Sequence, residues 1–473
     1  MYPAENAKHL SFIRSALAHE GARTSCDEAL EWALRRREEV HVKIEPMKLS
    51  AMTDWYLDED SGRVRHKSGR FFSIDGIRVE SSVGLISTWD QPIINQPEIG
   101  FLGCITREID GILHFLVQAK IEPGNVNVVQ LSPTLQATRS NYTRQHKGAA
   151  PRYLEYFLDR SRARVLLDQL QSEQGARFLN KRNRNIIVQT DEDIPESDDF
   201  RWLTLGQIKK LCALDNVVNM DLRTVISGIP VVAAPFEHPE MLDTLLRGDE
   251  FKAGMMISAL NEGLPKSDLD QIISWLTELK SKNDLHVERI PLSQAKQWIL
   301  TDDRLHHEEE RFFDVRWVQV EIENREVARW HQPIVEPREE GLIAFIVKKI
   351  NGVHHFLVQA KVECGNFDTF EFAPTVQCIT GSYKNSLETV PFLKYVLEAK
   401  PEQIRFDALQ SEEGGRFYRE QNRNLIVEVG DEFPTETPLE YEWMTLHQML
   451  EFRCFNNYLN VQARSLLAGI RYA

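Results

Sequence analysis

FLVQAKIEPGNVNVVQLSPTLQATRSNY, residues 115–142, aligns without gaps to FLVQAKVECGNFDTFEFAPTVQCITGSY, residues 356–383, with 13 of 28 positions identical. The offset of 241 returns for His66 with His307, Trp89 with Trp330, Gln91 with Gln332, Trp202 with Trp443 and Asn219 with Asn460. Further on, DQLQSEQGARFLNKRNRN at 168–185 matches DALQSEEGGRFYREQNRN at 407–424 at 11 of 18 positions, the offset falling to 239 through a two-residue deletion. Each half is therefore one copy of a repeated unit. Pro230, Pro235 and Pro239 punctuate the join, because proline continues neither a helix nor a central strand. The expected division is an N-terminal module over 1–240 and a C-terminal module over 241–473.

Two apolar runs in the first copy join at Asp110-Gly111, and their equivalents join at Asn351-Gly352. Such dipeptides favour type I′ turns, in which both central residues need positive φ, so a β-hairpin is predicted in each half. On its second strand Leu113, Phe115, Val117 and Ala119 share one face, leaving His114, Leu116, Gln118 and Lys120 on the other. Ser25 and Glu28 suit a capping box for a helix over 25–40. Segment 165–181 is expected to be helical too, ahead of a strand through Ile186, Ile187 and Val188. Hairpins mixed with helices predict an α+β fold in each half.

At 473 residues the chain exceeds one ordinary core. Its 42% hydrophobic and 27% charged residues are values of a soluble globular protein. A formal charge of −15 argues against a nucleic-acid partner, since a phosphate backbone demands a basic surface. The first residues carry no leader pattern and no apolar run of membrane-spanning length occurs. The expectation is a soluble, cytoplasmic protein without a membrane partner. Six cysteines without a CxxC pair, none at a repeat-equivalent position, point to reduced thiols.

The strings WDQPIINQPEIG, LVQAKIEPGN, QLSPTLQATRSNY, DQLQSEQGARFLNKRNRN, FRWLTLGQIK and NMDLRTV, together with the duplication, resemble the NDP-hexose 2,3-dehydratases of deoxysugar biosynthesis over nearly the whole chain. The resemblance implies two Nudix-hydrolase-like modules in tandem, a homodimer, and a dTDP-4-keto-6-deoxy-D-glucose substrate in bacterial secondary-metabolite pathways. In such a sugar the C3 hydrogen is α to the ketone and the C2 hydroxyl is β to it. A base removes the C3 proton, hydrogen-bond donors hold the enolate oxygen, and an acid protonates the departing hydroxyl. This chemistry requires neither a redox cofactor nor a metal, and its reactive diketone product calls for a downstream 3-ketoreductase. The Nudix box, whose carboxylates hold divalent metals for pyrophosphate hydrolysis, is missing from both copies. That departure disfavours a nucleotide-sugar pyrophosphohydrolase. A non-catalytic nucleotide-sugar-binding protein is the third reading.

The candidates for proton transfer or enolate stabilisation are Glu173, Tyr142, Lys120 and His66. Glu173 and Arg177, four apart in the expected helix, equally suit a local salt bridge. Lys120 shares a strand face with Gln118 and Glu122, where a surface ion pair is the plainer alternative. His66, with an ordinary pKa of about 6.5, is either an acid or a structural histidine. Ser132, Thr134, Gln136, Thr138, Ser140 and Tyr142 alternate, which suits a wall facing a sugar or an edge strand facing water. Asn125 and Asn141 join this binding set. Lys181, Arg182 and Arg184, near Arg177 and with the amides of Asn183 and Asn185, suit a pyrophosphate or a solvated helix end. Trp89, with Gln91 beside it, suits stacking on thymine or a place in the core. The corresponding second pocket would hold Lys361, Glu412, Arg416, Asn422, Arg423 and Asn424. Copy two has Glu420-Gln421 for Lys181-Arg182, and Ile379, Gly381 and Ser382 for Thr138, Ser140 and Asn141. The main pocket is therefore expected in the N-terminal module, with a weakened one in the C-terminal module.

Overall fold

Asp110 and Gly111 adopt φ values of 51° and 77°, and Asn351 and Gly352 repeat this at 53° and 80°. These turns close the predicted hairpins, Gly100–Ile109 with Ile112–Ile121 and Gly341–Ile350 with Val353–Lys361. The structure, a computed structural model, describes residues 3–84, 86–139, 150–230, 249–260, 263–322, 328–378 and 390–472. In each repeat the hairpin is the centre of a seven-stranded mixed sheet. Arg182–Gln189 runs parallel to Gly100–Ile109 with Arg164–Ser172 antiparallel outside it, and Phe200–Thr204 pairs with Ile112–Ile121 on the other side. The second repeat has the same order, with Gln421–Val429, Ile404–Ser411 and Tyr441–Thr445.

Strand alternation divides the packing into two layers. Leu113, Phe115, Val117 and Ala119 lie in one core with Trp32 and Leu222, whereas Leu116 packs with Phe157 and Trp202 on the opposite face. Helix Cys26–Glu39 supplies Trp32 and starts with the expected capping box: Ser25 Oγ accepts from Glu28 N, and Glu28 Oε2 accepts from Ser25 N. The fold is α+β, as expected. The six cysteines are free thiols, and among the described residues no helix is long and apolar enough to cross a membrane.

The helix expected over 165–181 does not form. Arg164–Ser172 is a strand, followed by a loop. Its Leu and Gln residues favour helix by only a few tenths of a kcal/mol each, which pairing along the whole of Arg182–Gln189 outweighs. A bulge between Val165 and Leu167 hides the two-residue period.

The repeats are interlocked. Val42–Pro46 of the first pairs with Phe313–Ile322 of the second, and Leu285–Ile290 of the second pairs with Ser73–Ser81 of the first. Repeat-equivalent residues meet across a pseudo-twofold axis. The rings of Phe178 and Phe417 are 5.7 Å apart, Arg223 Nε donates to Ser465 Oγ at 2.8 Å, and Arg464 Nε donates to Thr224 Oγ1 at 3.1 Å. The expected boundary at residue 240 lies outside the described residues.

Candidate active site

At the interlock two loops cross. Gly124 N donates to Gly414 O and Arg419 N to Gly124 O, each at 2.7 Å; Gly365 N donates to Gly175 O and Asn180 N to Gly365 O, again at 2.7 Å. Only glycine allows this approach, because a Cβ on Gly124 would lie 1.6 Å from Phe417 O, and one on Gly365 would lie 1.8 Å from Phe178 O. Each crossing carries an arginine into the opposite repeat. Arg416 Cζ sits 4.2 Å from the Phe72 ring centroid, and Arg177 Cζ sits 4.1 Å from that of Phe313. The two arginines thus exchange the places read from the sequence: Arg416 belongs with the first repeat's pocket and Arg177 with the second's. Trp89 and Gln91 move likewise, Gln91 Nε2 donating to Ala176 O beside Arg177 at 3.0 Å. Their equivalents Trp330 and Gln332 line the first pocket instead, where Gln332 Nε2 donates to Gly415 O at 2.8 Å.

That pocket is a cavity of about 490 Å³ between the repeats. Lys120 and Glu122 reach it from the end of the hairpin, Gln136 and Thr138 from the polar segment, and Asp221 from the first turn of helix Met220–Ser227. Glu173, Lys181 and Asn183 enter around the turn between two sheet strands. His66, Trp55 and Phe71 form an aromatic wall, the His66 ring 5.4 Å from Trp55 and 4.5 Å from Phe71. The second repeat adds Glu413 to Trp330, Gln332 and Arg416.

The basic cluster read from the sequence is divided, because its residues lie on a strand of period two. Lys181 and Asn183 face the cavity. Arg182 stacks on Phe367 at 4.1 Å, and Arg184 forms a two-pronged bond to Asp168 at 2.6 and 2.5 Å. Asn185 is buried against Thr224 Oγ1 at 3.3 Å. Several polar candidates serve the backbone instead. Thr134 Oγ1 accepts from Ile105 N at 2.9 Å and donates to Leu116 O, Ser132 Oγ donates to Pro133 O at 3.0 Å, and Asn125 Nδ2 donates to Val128 O at 3.1 Å. Gln118 lies outside the cavity wall, in register with Phe200 and Ser132. Ser140, Asn141 and Tyr142 lie outside the described residues.

Glu173 Oε1 accepts from Asn183 Nδ2 at 2.7 Å; burial raises its pKa against the pull of Arg464 and Lys181. Burial lowers that of Lys181, opposed by Glu173, while its Nζ donates to Glu98 O. Burial also lowers that of His66, whose Nδ1 is 2.8 Å from Ser68 Oγ. The Asp221 carboxyl stands well above the usual range, through burial and then the charges of Glu413, Glu173 and Glu122. Glu413 is pushed up to about 7 by burial, with Arg416 opposing. Asp221 and Glu413 were not singled out from the sequence. The signal lay in the repeat itself, where their equivalents are Gln462 and Gln174.

Around the second crossing Arg177 is only 4% exposed, and Glu363, Glu412 and Glu420 are all buried. Asn422 Nδ2 donates to Glu412 Oε1 at 2.6 Å, repeating Asn183 and Glu173, and Arg423 pairs with Asp407 as Arg184 does with Asp168. Asn424 Nδ2 donates to Asn422 O at 2.9 Å, and Lys361 is half-buried. Glu420 stands where the first repeat has Lys181, its carboxyl pushed up to about 7 by burial.

The sequence model described as NDP-hexose 2,3-dehydratase matches residues 26–229 and again 269–470. A dTDP-4-dehydro-6-deoxy-alpha-D-glucopyranose 2,3-dehydratase of Saccharopolyspora spinosa is 45% identical over 461 residues, covering 97% of this chain and 94% of the relative. Proteins of the same description from Streptomyces violaceoruber and Amycolatopsis orientalis are 42% and 40% identical, covering 93% and 97% of this chain and 96% and 93% of their own lengths.

Proposed function

The chain belongs to the NDP-hexose 2,3-dehydratase family, and we propose that it eliminates water across C2 and C3 of dTDP-4-keto-6-deoxy-D-glucose, giving the dTDP-3,4-diketo-2,6-dideoxy sugar. The observation that carries this reading is the cavity between the repeats, which gathers buried carboxyls with Lys120, Lys181 and Arg416. Its volume of about 490 Å³ falls in the range of small-molecule sites. Lys120 holds the enolate oxygen at O4, and Lys181 and Arg416 meet the diphosphate. Glu173, His66 and Tyr142 are the candidates for proton transfer that their residue types offer. Each repeat, 1–240 and 241–473, is a Nudix-like module, and the second pocket is the weaker, since Glu420 replaces a cation there. The enzyme works in the cytoplasm as a homodimer and passes its diketone to a 3-ketoreductase in a secondary-metabolite pathway.

Incubation of the purified protein with dTDP-4-keto-6-deoxyglucose and a 3-ketoreductase tests this, with mass spectrometry reading the loss of one water. Activity is expected to survive EDTA. Magnesium-dependent release of dTMP, or binding without turnover, would overturn the reading.

A further inference from the structure

Several polar wall positions of the cavity recur in both repeats: Lys120 with Lys361, Glu122 with Glu363, Gln136 with Gln377, Glu173 with Glu412 and Asn183 with Asn422. Their bonds recur as well. Asn183 meets Glu173 at 2.7 Å and Asn422 meets Glu412 at 2.6 Å, while Gln136 meets Glu122 at 2.8 Å and Gln377 meets Glu363 at 2.9 Å. What recurs around both crossings is shared framework. Apart from the exposed Asp54, two carboxyls of the cavity break the correspondence, since Asp221 is matched by Gln462 and Glu413 by Gln174. Gln174 is the isosteric amide of a glutamate and Gln462 is an amide one methylene longer than an aspartate, and neither amide can move a proton. Both glutamines are buried with side-chain atoms that bond to no protein partner, so a need for new hydrogen bonds does not explain the amides.

Resting on the assignment of the elimination to this cavity, we propose that Asp221 and Glu413, one from each repeat, make the proton transfers: Glu413 takes the C3 proton and Asp221 protonates the departing C2 hydroxyl. Their surroundings divide the roles. Asp221 is 3% exposed and faces the carboxyls of Glu413, Glu173 and Glu122 with Lys120 as the opposing cation, so it holds its proton. Glu413 is half-buried, and although burial and the charges of Glu122 and Glu173 raise its carboxyl, Arg416 and Lys181 both oppose them, so it gives up its proton more readily than Asp221. Two carboxyls whose environments separate their protonation states suit paired acid and base work.

The chemistry closes on these two groups. Glu413 accepts the C3 proton, and the C–H electron pair becomes the C3–C4 double bond of the enolate. That pair then forms the C2–C3 double bond as the C2–O bond breaks, restoring the C4 ketone, while Asp221 gives its proton to the leaving oxygen as water. Glu413 is then protonated and Asp221 ionised. Return of the Glu413 proton to C2 and removal of the O3 proton by Asp221 yield the 3,4-diketone and reset both groups.

The experiment incubates the full-length enzyme with dTDP-4-keto-6-deoxyglucose in D2O. Mass spectrometry follows water loss, NMR follows deuterium at C3 of unreacted substrate, and an enzyme-free control is run alongside. Asp221→Asn is expected to lower turnover more than about 10²-fold while deuterium accumulates at C3, because the enolate forms and is reprotonated. Glu413→Gln is expected to lower turnover as much and to abolish the exchange. Both should bind dTDP within threefold of the parent. Turnover within tenfold of the parent in either variant, or parental C3 exchange in Glu413→Gln, overturns the pair. If Glu413→Gln does not fold, Glu413→Asp is measured instead; a shifted acidic limb of the pH–rate profile supports the role and an unmoved one overturns it. A parent enzyme that leaves the substrate intact overturns the function reading itself, which is a distinct outcome from an active parent with active variants.

Discussion

Replacing Gly124 by alanine strikes the crossing that delivers Glu413 and Arg416. The new Cβ would lie 1.6 Å from Phe417 O, and 3.0 Å is the closest that real Cβ atoms approach, so the loops must part by about 1.4 Å. The two 2.7 Å backbone bonds at Gly124 are then lost or stretched. At about 1 kcal/mol each the destabilisation is about 2 kcal/mol, a fall in Tm of about 2–4 °C for a chain of this size. A displacement of roughly 1 Å at a reacting group costs about 10²-fold in rate. Gly365→Ala provides the control, with a Cβ 1.8 Å from Phe178 O and the same pair of bonds at stake, in the crossing that serves Arg177. Calorimetry should show similar losses of Tm for the two variants, while kcat measured well below both transitions falls about 10²-fold for Gly124→Ala and about tenfold or less for Gly365→Ala, whose loop carries Glu173 and Lys181 at its ends but neither Glu413 nor Arg416. Equal kcat losses, or a Gly124→Ala enzyme at full rate, would refute the view that the first crossing positions catalytic groups.

Lys181→Glu, which copies Glu420 of the second repeat, should weaken dTDP binding by about 10–100-fold in isothermal titration, since a charged hydrogen bond of about 1.5–3 kcal/mol is lost. Arg184→Ala should change Tm by under about 1 kcal/mol equivalent and kcat by less than twofold, its pair with Asp168 being about one-third exposed; Arg416→Ala should raise KM at least about tenfold. The Glu420 carboxyl is raised from 4.5 to about 7, so its contribution to stability is full below pH 4.5 and is lost as pH rises through 7. Tm should therefore fall between pH 5 and pH 8, and Glu420→Gln should flatten that slope.

Local chemistry was legible where a few adjacent residues decide the backbone. Asp110-Gly111, Asn351-Gly352 and the Ser25–Glu28 cap are such cases, and the repeat offset located both copies. The segment from 165 to 181 was misread because its apolar spacing passes through a bulge, and Glu173 and Arg177 were consequently paired with each other. Lys181 to Asn185 looked like one basic patch, but a strand sends alternate side chains to opposite faces, so only Lys181 and Asn183 reach the cavity. No local pattern announces that residues 413–416 cross into the first repeat, since that depends on backbone contacts spanning about half the chain. Glycines at 124 and 365 were the only local trace. The informative comparison lay between the copies, at the positions where an acid faces an amide.

The exchange of Leu285–Ile290 for Val42–Pro46 also governs how the protein is made. A ribosome that has released residue 229 has produced every strand of the first repeat except the one that completes the sheet of Ser73–Ser81, and Val42–Pro46 as yet has no partner. The nascent first half must wait, with an unpaired strand edge, for about 60 further residues to emerge. Severed halves should accordingly be poorly soluble when produced singly and should recover each other when produced together, since each carries a strand that only the other can seat.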